Sequence, residues 1–162
     1  MRSFMVGRGC PYKCSYCFNH RYNTLYKGNG PLLSRMSVER AVAELRDLKT
    51  RYETQFIKFY DDIFIFVDDG WLEEFSDKYR RDVGIPFHCL MRADLLTEPI
   101  LLKLKKAGLA SLSMSIESGN AQARNEILKR NMSEGVMTHA FTLCRTHNIP
   151  TFSNTILAIP GT

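Results

Sequence analysis

Short apolar runs alternate with amphipathic stretches along most of this 162-residue sequence. The runs, such as the aromatic and β-branched FIKFY, are typical of buried strands. They predict strands at residues 3–6, 56–60, 86–91, 109–116 and 151–159. The stretches between them repeat apolar residues at helical spacing, so we predict helices there. These helices begin after Ser37, at Trp71 and after Thr97, and they cover residues 120–130 and 134–147.

This βαβαβαβαβ order predicts an α/β protein with a parallel sheet, right-handed crossovers and helices packed outside the sheet. In parallel barrels, functional residues gather at the C-terminal ends of the strands. Polar or special residues follow each of the predicted strands. In chain order they are the cysteine loop after Gly7, Asp61 and Asp62, Arg92 and Asp94, Glu117, and Pro160 and Gly161. We therefore expect the functional site at this edge of the sheet.

Three cysteines are crowded into the segment RGCPYKCSYCFN, residues 8–19, at Cys10, Cys14 and Cys17. Zinc prefers four tetrahedral ligands, and His20 could complete a Cys3His site. An iron–sulfur cubane also suits thiolate ligands. Three thiolates would leave one iron of the cubane without a protein ligand, as a metal site does when it binds a substrate. The spacing of the cysteines by itself is compatible with both a zinc ion and an iron–sulfur cubane.

The other cysteines and the hydropathy pattern favour a reducing compartment. Five cysteines are an odd number, which argues against a closed disulfide framework. Cys89 and Cys144 lie in apolar patterns and are expected to be buried structural thiols. No signal peptide is recognisable at the start, and the longest apolar run, residues 63–67, is too short to span a bilayer. We expect a cytoplasmic protein with no membrane span.

The C-x3-C-x2-C spacing, with aromatic Tyr16 before the last cysteine, resembles the motif of the radical S-adenosylmethionine (SAM) superfamily. The resemblance implies that Cys10, Cys14 and Cys17 hold a [4Fe–4S] cluster, that SAM binds the fourth iron, and that Tyr16 lies at the cofactor site. It implies reductive cleavage of SAM to a 5′-deoxyadenosyl radical that takes a hydrogen atom from the substrate. The implied fold is a partial, TIM-like (β/α) barrel with about five of the usual six βα units.

Two further segments resemble SAM-binding motifs of this superfamily. FYDD stands where other branches carry a Gly-Gly-Glu motif for the SAM amino group, which makes Asp61 and Asp62 its expected partners. SIESGN resembles the fourth-strand motif, in which Glu117 would accept hydrogen bonds from the ribose hydroxyls. The alternatives are an aspartate pair that opens a loop and a surface glutamate at the start of a helix.

The last two segments concern the carboxylate and the adenine of SAM. In ILKRN, Arg130 is the expected partner of the SAM carboxylate, and Arg124, six residues earlier, is the alternative. Either residue could instead be an arginine on the exposed side of a helix. NTILAIPG resembles the fifth-strand segment that packs against adenine, and Asn154 is its expected cofactor-binding residue. Ala158 stands where the family usually has glycine, which adds a methyl group near the expected adenine site.

The likeness covers nearly the whole chain, so residues 1–162 are expected to form a radical SAM core domain that is incomplete at its C-terminal end. The aspartate pair is typical of a branch whose members often carry a cobalamin-binding domain; cobalamin would then bind through a domain outside this sequence. The implied function is a radical SAM enzyme that performs methyl transfer or cyclase-type chemistry on an unknown substrate. The alternatives are a tRNA-modifying enzyme like the methylthiotransferases and a non-catalytic zinc- or cluster-binding module.

The charge of the chain, +5 in total, is unevenly distributed. Residues 1–60 contain 11 Lys and Arg against 4 Asp and Glu, whereas residues 61–162 contain 11 against 13. The basic residues of the first half either form a solvated surface or attract a negatively charged partner, such as RNA or a redox protein. The resemblance implies SAM, a substrate and a reducing partner such as flavodoxin or ferredoxin.

Overall fold

The computed structural model describes residues 1–160 of the chain. Its strands are β1 Arg2–Phe4, β2 Gly7–Arg8, β3 Ser34–Arg35, β4 Ile57–Phe59, β5 Phe87–Leu90, β6 Leu109–Ser113 and β7 Thr151–Phe152. Its α-helices are α1 Asn19–Leu25, α2 Val38–Tyr52, α3 Trp71–Asp82, α4 Glu98–Ala107 and α5 Glu134–Thr146. A 3-10 turn lies at Ala93–Leu95 and a π-helical turn at Ala123–Ile127.

Strands β1, β4, β5, β6 and β7 form one parallel sheet in that order. Consecutive strands of this sheet are neighbours, and a connection that contains a helix joins each to the next. Parallel neighbours need such crossovers because the chain must return to the same end of the sheet. The predicted parallel α/β order is therefore confirmed.

Helices pack against one face of the sheet. Phe59 of β4 and Phe87 of β5 have ring centroids 5.3 Å apart, and Phe59 lies 6.2 Å from Phe75 of α3. Leu45 of α2 and Leu104 of α4 are fully buried in the same apolar core. Because side chains alternate along a strand, the residues between these core positions project from the opposite face, which we call the inner face.

The helix ends follow the sequence signals closely. Ser37 caps α2 by accepting a hydrogen bond from the Arg40 amide at 3.3 Å. Gly108 ends α4 with a left-handed φ of 118°, which glycine adopts without steric cost. Thr97 occupies the predicted cap position of α4, but its hydroxyl makes no cap hydrogen bond. Within the described residues, each helix is too short or too polar to cross a lipid bilayer.

The helix predicted over residues 120–130 is wrong in extent. The segment contains a short helical start and the π-helical turn Ala123–Ile127. Lys129 and Asn131 both have left-handed φ values, 53° and 51°. The Asn125 side chain also accepts a hydrogen bond from the Met132 amide at 2.9 Å. Left-handed residues end a helix, and a side chain that bonds the backbone stabilises the irregular turn instead.

The predicted fourth and fifth strands are shorter than expected. β6 ends at Ser113, and β7 ends at Phe152, after which one isolated parallel bridge joins Glu117 to Thr155. Glu117 itself has a left-handed φ of 67°, which bends the chain out of the strand. Of the pair predicted to follow the fifth strand, Pro160 is described, whereas Gly161 lies outside the described residues.

The segment between β1 and α2 contains structure that the sequence patterns did not predict. β2 and β3 form a two-stranded antiparallel ribbon that pairs Gly7 with Arg35. Helix α1 follows the cysteines directly. Strands of two residues are too short to have a recognisable period, so only tertiary contacts define them.

Candidate functional site

The three clustered cysteines line a cavity of ≈ 270 Å³ at the C-terminal edge of the sheet, which we call the cysteine cavity. Cys14 is buried, whereas Cys10 and Cys17 are half-buried, and all three are free thiols. The cavity is also lined by residues that follow β4, β5 and β6. Its remaining lining includes Tyr12, Tyr16, Tyr60, Asp61, Asp62, Arg92, Ser113, Ser115, Glu117 and Arg130. A larger open depression, ≈ 620 Å³, lies along α5 and contains none of these residues.

The aspartates after β4 attach the cysteine loop to the sheet. Asp61 Oδ1 accepts hydrogen bonds from the backbone amides of Val6, at 3.1 Å, and Gly7. Asp62 Oδ2 accepts one from the Gly9 amide at 2.9 Å. Gly9 has a φ of 94°, and an added Cβ would lie 2.0 Å from the carbonyl oxygen of Leu32, so only glycine fits there. The pair thus positions the start of the loop, and its predicted contact with SAM stays a prediction.

The second carboxylate oxygen of Asp61, Oδ2, has different surroundings from Oδ1. Asp61 Oδ2 is buried and has no hydrogen-bond partner within the described residues. Burial raises the pKa of Asp61 from 3.8 to about 7, although the backbone amides of Gly7 and Val6 favour the ionised form. A buried carboxylate oxygen without a partner would gain from a cationic donor, since unpaired buried charge is costly.

This shift predicts a specific dependence of stability on pH. Because the pKa of Asp61 is higher in the folded protein, its contribution to stability is complete below about pH 4 and is lost as the pH rises through 7. Relative to Asp61→Asn, we expect the wild-type free energy of unfolding to fall by about 3–4 kcal/mol between pH 4 and pH 8. Urea unfolding of the cluster-free protein at both pH values measures this. The exposed Asp47→Asn serves as the control and should follow the wild type; equal pH profiles for wild type and Asp61→Asn would contradict the assignment.

Arg92, at the end of β5, lies beside the buried cysteine. Its guanidinium group lies 3.6 Å from the centre of the Tyr12 ring and forms an ion pair with Asp94 at 2.9 Å. Nη1 lies 3.8 Å from Cys14 Sγ, and Nη2 donates to the carbonyl oxygen of Arg130 at 3.2 Å. The sequence places Arg92 at a strand end but indicates no role for it. The structure makes it a cation that contacts a candidate cluster ligand.

Tyr16, Glu117 and Arg130 form a hydrogen-bonded group across the cavity. The Tyr16 hydroxyl donates to Glu117 Oε1 at 2.8 Å, and Arg130 Nη1 donates to the same hydroxyl at 2.8 Å. Burial, and then the hydrogen bond to Glu117, raise the pKa of Tyr16. Arg130 Nη2 also donates to the Ser115 carbonyl at 2.7 Å. Arg130 Nε is buried without a partner within the described residues.

The two candidate arginines have different surroundings. Arg124 is 1% exposed, and its guanidinium donates at 2.8 Å to the carbonyl oxygens of Met132 and Ser118. It is not among the residues that line the cysteine cavity, whereas Arg130 is. Arg124 therefore stabilises the irregular segment around the π-helical turn. Both arginines are buried, so the interpretation as an exposed helix arginine is wrong for either.

Asn154 lies apart from the other predicted site residues. It does not line the cysteine cavity but a neighbouring cavity on the inner face. Its carbonyl oxygen accepts from the Ile116 and Glu117 amides at 3.1 and 3.0 Å. Asn154 therefore supports the bend that carries Glu117. Ala158 is exposed and has a left-handed φ of 54°, the conformation that a glycine would adopt more readily.

The alternative ligand His20 has an unused nitrogen. Its Nδ1 is buried without a hydrogen-bond partner within the described residues. In the part of the chain that the structure describes, however, no three His, Cys, Asp or Glu side chains converge around a single metal position. A cubane does not require such convergence, because each thiolate binds a different iron. Cys89 and Cys144 are fully buried, as expected.

The fold and the cavity together define a class: a parallel α/β protein with a polar cavity at the C-terminal ends of its strands, where parallel barrels bind their ligands. The sequence then identifies the family. The chain belongs to the radical SAM superfamily, whose family model matches residues 4–162. No curated protein matches the sequence. Membership implies an enzyme family that uses a [4Fe–4S] cluster and SAM.

Solved structures confirm the predicted fold class, a partial TIM-like barrel. The radical SAM methyltransferase TsrM from Kitasatospora setae, with cobalamin and a [4Fe–4S] cluster bound, is 15% identical with a TM-score of 0.73 and matches 99% of this chain and 32% of its own. Methylornithine synthase PylB is 13% identical with a TM-score of 0.71, over 100% of this chain and 46% of its own. Coproporphyrinogen III oxidase HemN from Escherichia coli is 12% identical with a TM-score of 0.68, over 99% of this chain and 38% of its own. The chain thus spans from about a third to just under a half of the length of these proteins.

The residues around the cysteine cavity suit the cofactors of the superfamily. Soft thiols from one loop are appropriate ligands for iron. Asp61 Oδ2 is a buried acceptor without a donor, and Arg130 Nε is a buried donor without an acceptor within the described residues. An amino acid carries both complementary groups, an ammonium and a carboxylate. The unpaired atoms therefore fit the amino acid part of SAM in kind.

Proposed function

We propose that this chain is the core domain, residues 1–162, of a radical SAM enzyme in which Cys10, Cys14 and Cys17 hold the [4Fe–4S] cluster. The observation that carries the proposal is that these thiols share one cavity with the Tyr16, Glu117 and Arg130 group. When bound and reduced, the cluster supplies the electron that cleaves SAM to methionine and a 5′-deoxyadenosyl radical.

The chain's own residues bind and orient SAM in this proposal. The Asp61 carboxylate accepts from the ammonium group through Oδ2, with Asp62 beside it, and Arg130 donates to the carboxylate through Nε. Both contacts are charge-assisted hydrogen bonds, which are stronger than neutral ones. Glu117 accepts from the ribose hydroxyls, and the Tyr16 hydroxyl holds Glu117 in place at 2.8 Å. Asn154 supports the adenine side through the backbone of Glu117.

The finer function is methyl transfer, or cyclase-type chemistry, within the cobalamin-associated branch. The Asp61-Asp62 pair in place of a Gly-Gly-Glu motif supports this branch. The fold similarity to TsrM, a methyltransferase solved with cobalamin, is consistent with it. Cobalamin would bind outside residues 1–162. The enzyme would act in the cytoplasm and receive its electrons from a protein such as flavodoxin or ferredoxin.

One assay tests the proposal directly. The protein is reconstituted anaerobically with iron and sulfide, reduced with dithionite in the presence of SAM, and analysed for 5′-deoxyadenosine. We expect about four irons per chain, a brown protein, and 5′-deoxyadenosine that requires the reductant. The unreduced sample is the matched control. A cluster-loaded protein that neither binds nor cleaves SAM would overturn the proposal.

A second candidate, a non-catalytic zinc module, is favoured by one observation. His20 Nδ1 is a buried nitrogen without a partner within the described residues, and it lies close in sequence to the three thiols. This candidate predicts a colourless protein with one zinc per chain that is lost in His20→Ala. Under the first candidate, His20→Ala retains its iron, so the same variant separates the two functions.

A further inference from the structure

A second cavity, of ≈ 420 Å³, lies on the inner face of the sheet. We call it the lysine cavity; its polar lining is Lys58, His88, Ser111, Ser113 and Asn154. Strand register places Lys58 of β4 opposite His88 of β5, and His88 opposite Ser111 of β6. These three side chains thus form one row across three neighbouring strands, as inward residues of parallel barrels do. Ser113 lines this cavity and the cysteine cavity as well, so the two adjoin.

The histidine of this row is held by two hydroxyls. His88 is 7% exposed; its Nδ1 lies 2.7 Å from Ser111 Oγ and its Nε2 lies 3.0 Å from Ser113 Oγ. Burial, and then the charge of Lys58, lower the pKa of His88, so the ring is neutral at pH 7. A neutral ring donates through one nitrogen and accepts through the other. The serine that accepts from the ring therefore keeps its own hydroxyl hydrogen for another acceptor.

The lysine has no acidic partner. Lys58 Nζ lies 4.5 Å from the centre of the Tyr60 ring, and no carboxylate lies within ion-pair distance of it in residues 1–160. None of the described residues that line the lysine cavity is acidic. By contrast, Lys78, Lys103 and Lys106, on the helix side of the sheet, each pair with Asp or Glu. A half-buried lysine that shares its cavity with serine hydroxyls and with no acidic lining residue is complementary to an anion.

We propose that the lysine cavity binds an acidic oxyanion group of the substrate, a carboxylate or a phosphate, through Lys58 and the one hydroxyl, of Ser111 or Ser113, that does not donate to His88. That the anion belongs to a substrate rests on the proposed function, because it requires SAM to occupy the adjoining cysteine cavity. The anion supplies the negative charge that the row lacks, and its oxygens accept from the ammonium and the free hydroxyl. The rest of the substrate would then extend past Ser113, which lines both cavities, towards the cysteines.

Calorimetric titration of the reconstituted, unreduced protein with saturating SAM tests this inference. Inorganic phosphate and acetate are the two probes, and they distinguish a phosphate site from a carboxylate site. We expect saturable binding of at least one of these anions to the wild type. Lys58→Met should bind that anion at least about tenfold more weakly than the wild type, because a hydrogen bond to a charged group is lost. Lys58→Arg keeps the charge and should retain binding. Lys27→Met removes the same charge from an exposed position and should bind as the wild type does.

Each outcome of these titrations decides the inference. Should Lys58→Met unfold, Ser111→Ala and Ser113→Ala provide the second test, because the variant that removes the free hydroxyl should lose affinity severalfold. Absence of saturable binding of both probes, or equal affinity in wild type and Lys58→Met, would overturn the inference while iron content and SAM cleavage could still support the proposed function. Binding that depends on Lys58 in a protein without iron or SAM cleavage would retain the anion site and overturn the proposed function instead.

Discussion

Cys14→Ala is expected to abolish binding of the iron–sulfur cluster. Cys14 is 6% exposed, lies between the other two thiols in sequence and contacts the Arg92 guanidinium at 3.8 Å. With two thiolates left, two corners of a cubane would lack a protein ligand. We expect iron per chain after anaerobic reconstitution to fall from about four to below one, with loss of the brown absorption.

Cys144→Ala is the matched control for this loss. Cys144 is also a buried, free thiol, but it lies on α5 in the apolar core. Its replacement leaves a small cavity, which lowers stability by roughly 1 kcal/mol without removing a cluster ligand. Iron content should therefore equal that of the wild type. Equal iron in Cys14→Ala and Cys144→Ala would reject the cluster assignment.

Glu117→Gln is expected to weaken SAM binding by about 10–100-fold and to leave the iron content unchanged. The substitution keeps the shape of the side chain but replaces the carboxylate that would accept from the ribose hydroxyls by a neutral amide. The loss of the charge weakens the binding free energy of SAM by about 1.5–3 kcal/mol. It also leaves the buried Arg130 guanidinium without its nearby carboxylate, 3.5 Å away. Loss of one partner of a buried pair is destabilising, so we also expect a lower melting temperature.

The control for this variant removes the same charge outside the cavity. Glu126 is exposed and hydrogen-bonded to Gln122, so Glu126→Gln should bind SAM as the wild type does. Equilibrium dialysis of SAM against the unreduced, reconstituted proteins measures the affinities, and circular dichroism verifies that each variant is folded at the temperature used. Undiminished affinity in Glu117→Gln would remove Glu117 from the SAM site.

Local patterns predicted the helices of this protein well. Helices α2, α3 and α4 begin, and α5 begins and ends, within a few residues of the predicted bounds, because apolar spacing and cap residues such as Ser37 act over a single turn. The strand ends and the segment after Glu117 were predicted less well. There the chain follows left-handed residues and side-chain hydrogen bonds, as at Asn125, which override the apolar pattern.

The sequence by itself determined the family, the parallel α/β order and the strand ends at which the candidate site residues lie, because these depend on spacing along the chain. Only the tertiary structure separated Arg130, which lines the cysteine cavity, from Arg124, which bonds backbone carbonyls. It alone brought Lys58 beside His88 from strands about thirty residues apart, through the register of the sheet. The physical reason is that burial and unpaired polar atoms arise from contacts between distant segments, and no local pattern encodes those contacts.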